Sequence, residues 1–346
     1  MNEFFFNNNK EITRKIEKYN TFVSIDCILG NYPLLKCKQT KNNNVIVWRS
    51  NDYPSISQNT SVVGFISETI DKFGMGAGGS RNIGGTSSLT CELEKNIADW
   101  LKTESALIFP TGFSSNDATL QCLIRLLDDL VVFSDENNHA SIINALRQSG
   151  VKREIFKHNG LQYLIKLLQE YPKKLIVLLS IHSMDSYIAP ISDVTPIKGI
   201  VAAAKECGSF TFWYELHTIG MCELDGCNIS GELGFNSETE ILQITMAKNL
   251  GSIGGFIAME NVFVDAICFF CLEFVFTTAL PPASIAAGTI GIKIIRGSSN
   301  QRETLQIQTP EPHRALMNNS LPVMQHSTTN VSPLLVGDTG NFETLK

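Results

Sequence analysis

Clustered positive charge is what this chain most plainly lacks. Its 346 residues carry 28 Lys and Arg against 34 Asp and Glu, a formal net charge of −6, with no run of five basic residues. That argues against nucleic acid or an anionic membrane as the main partner, because both are held by concentrated positive charge. A secretory leader is not expected either. The start, MNEFFFNNNKEITRKIEK, has no apolar stretch behind a basic cluster, and Glu3 and Glu11 come too early for a transit peptide. The most apolar long window, 262–280, contains Asp265 and Glu273. It therefore reads as a buried or interface helix and not as a membrane span. Nine cysteines make an odd number, and the one close pair, Cys268 and Cys271, has neither a second pair nor a neighbouring histidine. They read as core thiols of a reducing compartment, the bacterial cytoplasm by default with the mitochondrial matrix as the alternative.

What the chain does have is alternation. From residue 90 onward, short apolar strands such as ESALIFP, DLVVFSD, KLIVLLSIHS and ILQITMAK are separated by segments with helical spacing, among them NDATLQCLIRLL and IKGIVAAAKECG. About 200 residues of this pattern predict an α/β domain with a largely parallel sheet, in which ligands collect at the carboxyl ends of the strands. Residues 1–50 read as a polar arm ending in the strand NVIVW. From about residue 298 the text becomes polar and proline-broken before one more strand, SPLLVGD (332–338). The expected organisation is an arm over 1–50, a large domain over 51–290 and an incomplete small α/β domain over 291–346.

The chemistry-bearing residues gather at the expected carboxyl edge. TGFSSND lies between a strand and a helix, so Gly112, Phe113 and Ser114 offer backbone N–H groups suited to a phosphate. ENNHAS places His139 at a strand-to-helix turn, and HSMD ends the most buried strand with polar groups. TFWYELHTIG delivers Glu215 and His217 at a strand end behind the phenol Tyr214. ITMAKNLG sets Thr245 and Lys248 at the end of a buried run. An ammonium entering from an apolar strand pays for desolvation through a lowered pKa, which is what a Schiff-base lysine needs. Each feature alone has an ordinary structural explanation; their convergence on one edge does not.

With Lys248 in place, the chain resembles the α-oxoamine synthases, pyridoxal-phosphate enzymes of fold type I. The resemblance runs from about residue 12 to 338 through SNDY, GAGGSRNIGGTS, GFSSNDATL, SDENNHASII, HSMD, LHTIG and FTTALPP. SRNIGGT and HSMD point to the branch that makes 5-aminolevulinate. The resemblance implies a mostly parallel seven-stranded sheet and an obligate homodimer with active sites at the subunit interface. It also implies condensation of glycine with succinyl-CoA to 5-aminolevulinate, CO2 and CoA, as in haem biosynthesis. By the same resemblance Lys248 carries the cofactor, His139 stacks on its ring, and Ser183 and His217 lie near its phenolic oxygen. Gly112, Phe113 and Thr245 match its phosphate ligands, and Thr277 and Thr278 match phosphate contacts given to the neighbouring subunit. Asn51 matches a glycine contact, and Asn82 and Ile83 match contacts to succinyl-CoA.

The chain also departs from that pattern. Tyr214 stands where the family has the Asp that pairs with the pyridinium nitrogen. Asn20 replaces the succinyl-binding arginine, and Ser80 replaces the glycine-selecting threonine. Glu223, Cys227 and Asn228 replace loop glycines in MCELDGCNIS. The family's C-terminal segment, with the arginine that holds the glycine carboxylate, has no counterpart before Lys346. Three readings stay open: a 5-aminolevulinate-forming enzyme, an impaired homologue that keeps the fold for binding or regulation, and an α-oxoamine synthase of another acyl specificity.

Overall fold

The computed structural model describes residues 24–38, 44–48, 50–181, 195–222, 225–235, 238–308 and 310–319. Asn20, the HSMD stretch with Ser183, Glu223 and the strand expected at 332–338 lie outside the described residues. Among those described, a small antiparallel sheet is formed by β1 (Ile25–Asp26), β2 (Leu34–Cys37) and β3 (Asn44–Ile46). The main sheet has seven strands: β4 (Ser105–Phe109), β5 (Val131–Asp135), β6 (Lys152–Phe156), β7 (Lys174–Leu179), β8 (Phe210–Tyr214), β9 (Ile241–Thr245) and β10 (Gly255–Met259). Their order is β4-β10-β9-β8-β7-β5-β6. Only β10 runs antiparallel, to both β9 and β4; the remaining pairs are parallel. The carboxyl ends of β4, β5, β7, β8 and β9 therefore share one edge.

The helices of eight residues or more are α1 (Thr60–Phe73), α2 (Ser88–Leu101), α3 (Gly112–Leu126), α4 (Ala140–Gln148), α5 (Leu161–Leu168), α6 (Ile197–Cys207), α7 (Asn261–Phe270), α8 (Pro282–Gly297), α9 (Ser299–Gln308) and α10 (Pro310–Asn318). Two of them, α9 and α10, form where the sequence reads as polar and broken. Pro310 opens α10 at a position where the missing N–H costs no helical bond.

Strand side chains alternate between two apolar layers, as the two-residue pleat requires. Ala106, Ile108, Ile176, Leu178, Trp213, Leu242 and Ile244 pack with α1, α2, α5, α6 and α8. Leu107, Phe109, Leu175, Val177, Phe212, Tyr214 and Ile241 pack with α3, α4 and α7. The 262–280 window is not one helix: α7 ends at Phe270, and a separate helical turn spans Leu272–Val275. No helix among the described residues is long and apolar enough to cross a membrane. The cysteines are not uniformly core thiols, since Cys27 and Cys91 are exposed.

Candidate active site

Three strand ends bring the site together. His139 caps α4 beyond β5, His217 follows β8, and Lys248 follows β9. His217 is 6% exposed, and burial, Lys248 and His139 together hold its imidazole down at a pKa of about 3. The ring is thus neutral at ordinary pH. Its Nδ1 lies 2.6 Å from the Tyr53 hydroxyl, while its buried Nε2 has no hydrogen-bond partner among the described residues.

His139 is fixed from behind. The Ser141 backbone N–H donates to its Nδ1 at 3.2 Å, and the Ser141 hydroxyl lies 2.7 Å from the same nitrogen. A backbone N–H only donates, so Nδ1 is an acceptor and the neutral ring carries its proton on Nε2. Asn116 on α3 donates to the Ser141 hydroxyl at 2.9 Å, which makes a chain of support behind the imidazole. Tyr214 meets His139 edge-on, with ring centroids 5.4 Å apart and planes at 77°. The phenol is buried and belongs to the α3/α4 layer.

Glu215, one residue on, does not face this group. It is fully buried among the 228–230 turn: Ser230 donates to its Oε1 through the hydroxyl at 2.5 Å and through the backbone at 3.2 Å, and Asn228 donates at 3.4 Å. Burial pushes its carboxyl pKa up, against hydroxyl contacts that pull it down. Asn228, one of the residues standing in place of a loop glycine, also caps the turn Ile229–Glu232. Its side chain is part of what anchors the loop under His217.

The phosphate-type cradle is the start of α3. Thr111 and Ser114 form a reciprocal capping box there, while Gly112 and Phe113 open the helix without a preceding carbonyl to accept their N–H groups. Gly112 lies so close to β9 that a Cβ would stand 2.6 Å from the Thr245 Cβ and hydroxyl. Gln243 stitches the same place from below, donating to Ser115 at 2.5 Å and to the Gly112 carbonyl at 3.3 Å.

The remaining predicted residues sit apart. Asn82 and Ile83 are exposed, as are Thr277 and Thr278, and Ser80 is buried in a bridge to Thr278. None of the described hydrogen bonds joins them to Thr245 or Lys248. The two segments are joined by that bridge and by the Ala279 N–H donating to the Gly79 carbonyl at 3.0 Å, and next to them Arg81 pairs bidentately with Glu94 at 2.5 and 2.9 Å, while Glu94 also accepts from the Ile108 N–H at 2.9 Å. Asn51 is exposed on the arm turn that carries Tyr53. Tyr53, Ser141, Asn116, Gln243 and Glu94 carry no role in the sequence analysis. Four of them nonetheless lie within stretches quoted there: Tyr53 in SNDY, Asn116 in GFSSNDATL, Ser141 in SDENNHASII and Gln243 in ILQITMAK.

Comparison with known proteins decides the ancestry of this arrangement. The family model for class I and II aminotransferases matches residues 43–335. The chain belongs to that family. Among other members, it is 35% identical to the 5-aminolevulinate synthase of Bradyrhizobium diazoefficiens over 96% of this chain and 81% of that one. It is 34% identical to the 5-aminolevulinate synthase of Rickettsia prowazekii over 96% and 79%. Of solved structures, a Sphingomonas wittichii serine palmitoyltransferase superposes with a TM-score of 0.85 at 21% identity, over 98% of this chain and 85% of that chain. A serine palmitoyltransferase from S. paucimobilis with a bound PLP–myriocin aldimine gives 0.84 at 24%, over 97% and 85%. These likenesses establish the class I and II aminotransferase chain as a fold type I structure, as its seven-stranded sheet already implied.

Proposed function

We propose that the chain binds pyridoxal phosphate and condenses glycine with succinyl-CoA to 5-aminolevulinate, CO2 and CoA, at a turnover held down by Tyr214. The observation that carries this reading is the convergence of Lys248, His139 and His217 at one sheet edge, with the buried His217 Nε2 lacking a partner. The group fits these residues. The buried His217 Nε2 is left without a partner, and the close approach of Gly112 to Thr245 sets the first N–H groups of α3, which have no helical acceptor, at the same sheet edge. The 5-aminolevulinate synthases among the relatives support the substrates.

When bound, pyridoxal phosphate supplies an electron-withdrawing ring that lets a proton leave the glycine Cα. In this reading Lys248 Nζ would hold the cofactor's aldehyde carbon and would be the base for that proton. The His217 Nε2–H would donate to the phenolic oxygen, and His139 would cover one face of the ring. Gly112, Phe113 and Thr245 hold the phosphate, joined by Thr277 and Thr278 of a second copy. Asn51 and Ser80 line the glycine side, and Asn82 and Ile83 the acyl-CoA side. By resemblance alone, and outside the described residues, Ser183 matches a residue near the phenolic oxygen and Asn20 falls at the position of the family's succinyl-binding arginine. Tyr214 would address the pyridine nitrogen, where a neutral phenol can donate a hydrogen bond but does not keep the nitrogen protonated. The compartment that goes with this chemistry is the bacterial cytoplasm, or the mitochondrial matrix in a eukaryotic host.

Purified protein given pyridoxal phosphate, glycine and succinyl-CoA is expected to form 5-aminolevulinate slowly, and none without the cofactor. Faster product from another acyl-CoA moves the reading to a different α-oxoamine synthase. A protein that neither takes up the cofactor nor forms product removes it.

The second copy has a place to dock. Phe269, Phe270, Leu272 and Phe276 project from α7 and the following turn, with Phe269 77% and Phe276 71% exposed. A cluster of exposed aromatics on one element marks an association surface. It adjoins Thr277 and Thr278, the residues assigned to the neighbour's phosphate. Sedimentation is expected to give twice the chain mass. Replacing Phe269 and Phe276 together by Glu is expected to weaken association by roughly 100-fold or more; unchanged dimerisation excludes this face.

A further inference from the structure

Tyr53 belongs to a turn set rigidly against both catalytic loops. Asp52 accepts from the Ile56 and Ser57 N–H groups at 2.9 Å each, so the arm is locked at its entry to the main domain. Ile56 is buried in the core beside it. On the lysine side, Gly251 packs so closely that a Cβ would stand 2.7 Å from the Ser57 nitrogen, and its φ of +60° suits glycine. On the histidine side, the Asn249 amide donates to the Ile219 carbonyl, tying the Lys248 turn to the loop after His217. The Tyr53 ring lies nearly parallel to His217, with centroids 5.9 Å apart and planes at 28°.

The hydrogen bond between them has a direction. Burial raises the Tyr53 phenol to a pKa of about 12, so the hydroxyl keeps its proton at ordinary pH. His217, neutral, has one ring proton to place. Were that proton on Nδ1, it would point at the Tyr53 oxygen, and the phenol proton would lose its one described acceptor. With Tyr53 donating, Nδ1 is satisfied and the histidine proton is on the buried Nε2, beside Lys248 and His139.

We propose that Tyr53 is a positioning residue that fixes His217 as its Nε2–H tautomer, so that the site presents a donor there and not a lone pair. What that donor addresses, an anionic phenolic oxygen, rests on the pyridoxal phosphate reading above; the tautomer itself does not. A structural tyrosine packed on any histidine would fill space equally well, but it would not set which nitrogen carries the proton.

The full chain labelled with nitrogen-15 histidine, without cofactor, reports the tautomer through the ring nitrogen shifts, with the His217 signals identified by their loss in His217→Gln. Wild type is expected to show Nε2 protonated and Nδ1 bare. Tyr53→Phe, folded by circular dichroism, is expected to show a mixture. With cofactor and substrates, Tyr53→Phe should retain cofactor and lose roughly tenfold in turnover, the effect of one hydrogen bond. A wild-type His217 protonated on Nδ1 overturns the proposal, and so does an unaltered single tautomer in Tyr53→Phe. If that variant does not fold, the wild-type spectrum alone still decides. A correct tautomer in a protein that forms no product leaves the proposal standing and counts against the functional reading only.

Discussion

Tyr214→Asp is expected to raise turnover roughly 100- to 4000-fold. The tyrosine lies at the end of β8, beside His139 and one strand from Gln243. A carboxylate there pairs with a protonated pyridine nitrogen, and an unmatched buried partner of that kind is worth about 3–5 kcal/mol. At about 1.4 kcal/mol per decade, that range gives the rate factor. The same substitution should harm the protein without cofactor. Tyr214 is 3% exposed and packed among Phe212 and Leu216, so Asp leaves a cavity and an unpaired buried charge. Removing a large buried aromatic costs about 3–5 kcal/mol. The expected signature is therefore double: a lower melting temperature without pyridoxal phosphate, and an unusually large gain in melting temperature on adding it. A variant that melts lower, binds cofactor and turns over no faster shows that Tyr214 does not address the ring nitrogen.

The two kinds of information in the sequence had different reach. Strand and helix alternation was legible because burial on both faces of a parallel sheet writes continuous apolar runs, as in the wholly buried β7. The candidate site was legible for a topological reason: when every strand but β10 runs the same way, polar residues at strand ends share one edge. What the sequence concealed were contacts between distant segments. Tyr53 and His217 are 164 positions apart, and nothing in SNDY or LHTIG announces that one hydrogen-bonds the other. Arg81 and Glu94 are nearer, yet each reads as an ordinary surface charge until their bidentate pairing pins the glycine-rich loop to α2. Helices α9 and α10 were missed because their residues are mostly polar, so little hydrophobic periodicity marks them.

Lys248→Ala should abolish turnover, with a loss of roughly 10^4- to 10^6-fold as for other catalytic nucleophiles. The lysine is half-buried on the turn after β9, and Asn249 beside it is tied to the Ile219 carbonyl. Removing the ammonium should therefore leave the turn in place, and the variant should melt close to wild type. Two further readouts separate chemistry from collapse. Cofactor added to the variant should dialyse away freely, because Nζ is the atom assigned to hold its aldehyde carbon. The His217 pKa should also rise from about 3, since Lys248 is one of the charges holding it down. Burial is the larger cause and persists, so the rise is partial and the ring stays neutral at pH 7. A Lys248→Ala protein that still retains cofactor through dialysis, with His217 titrating as before, would place the lysine outside the site. In that case the convergence of β5, β8 and β9 on one edge would need another occupant.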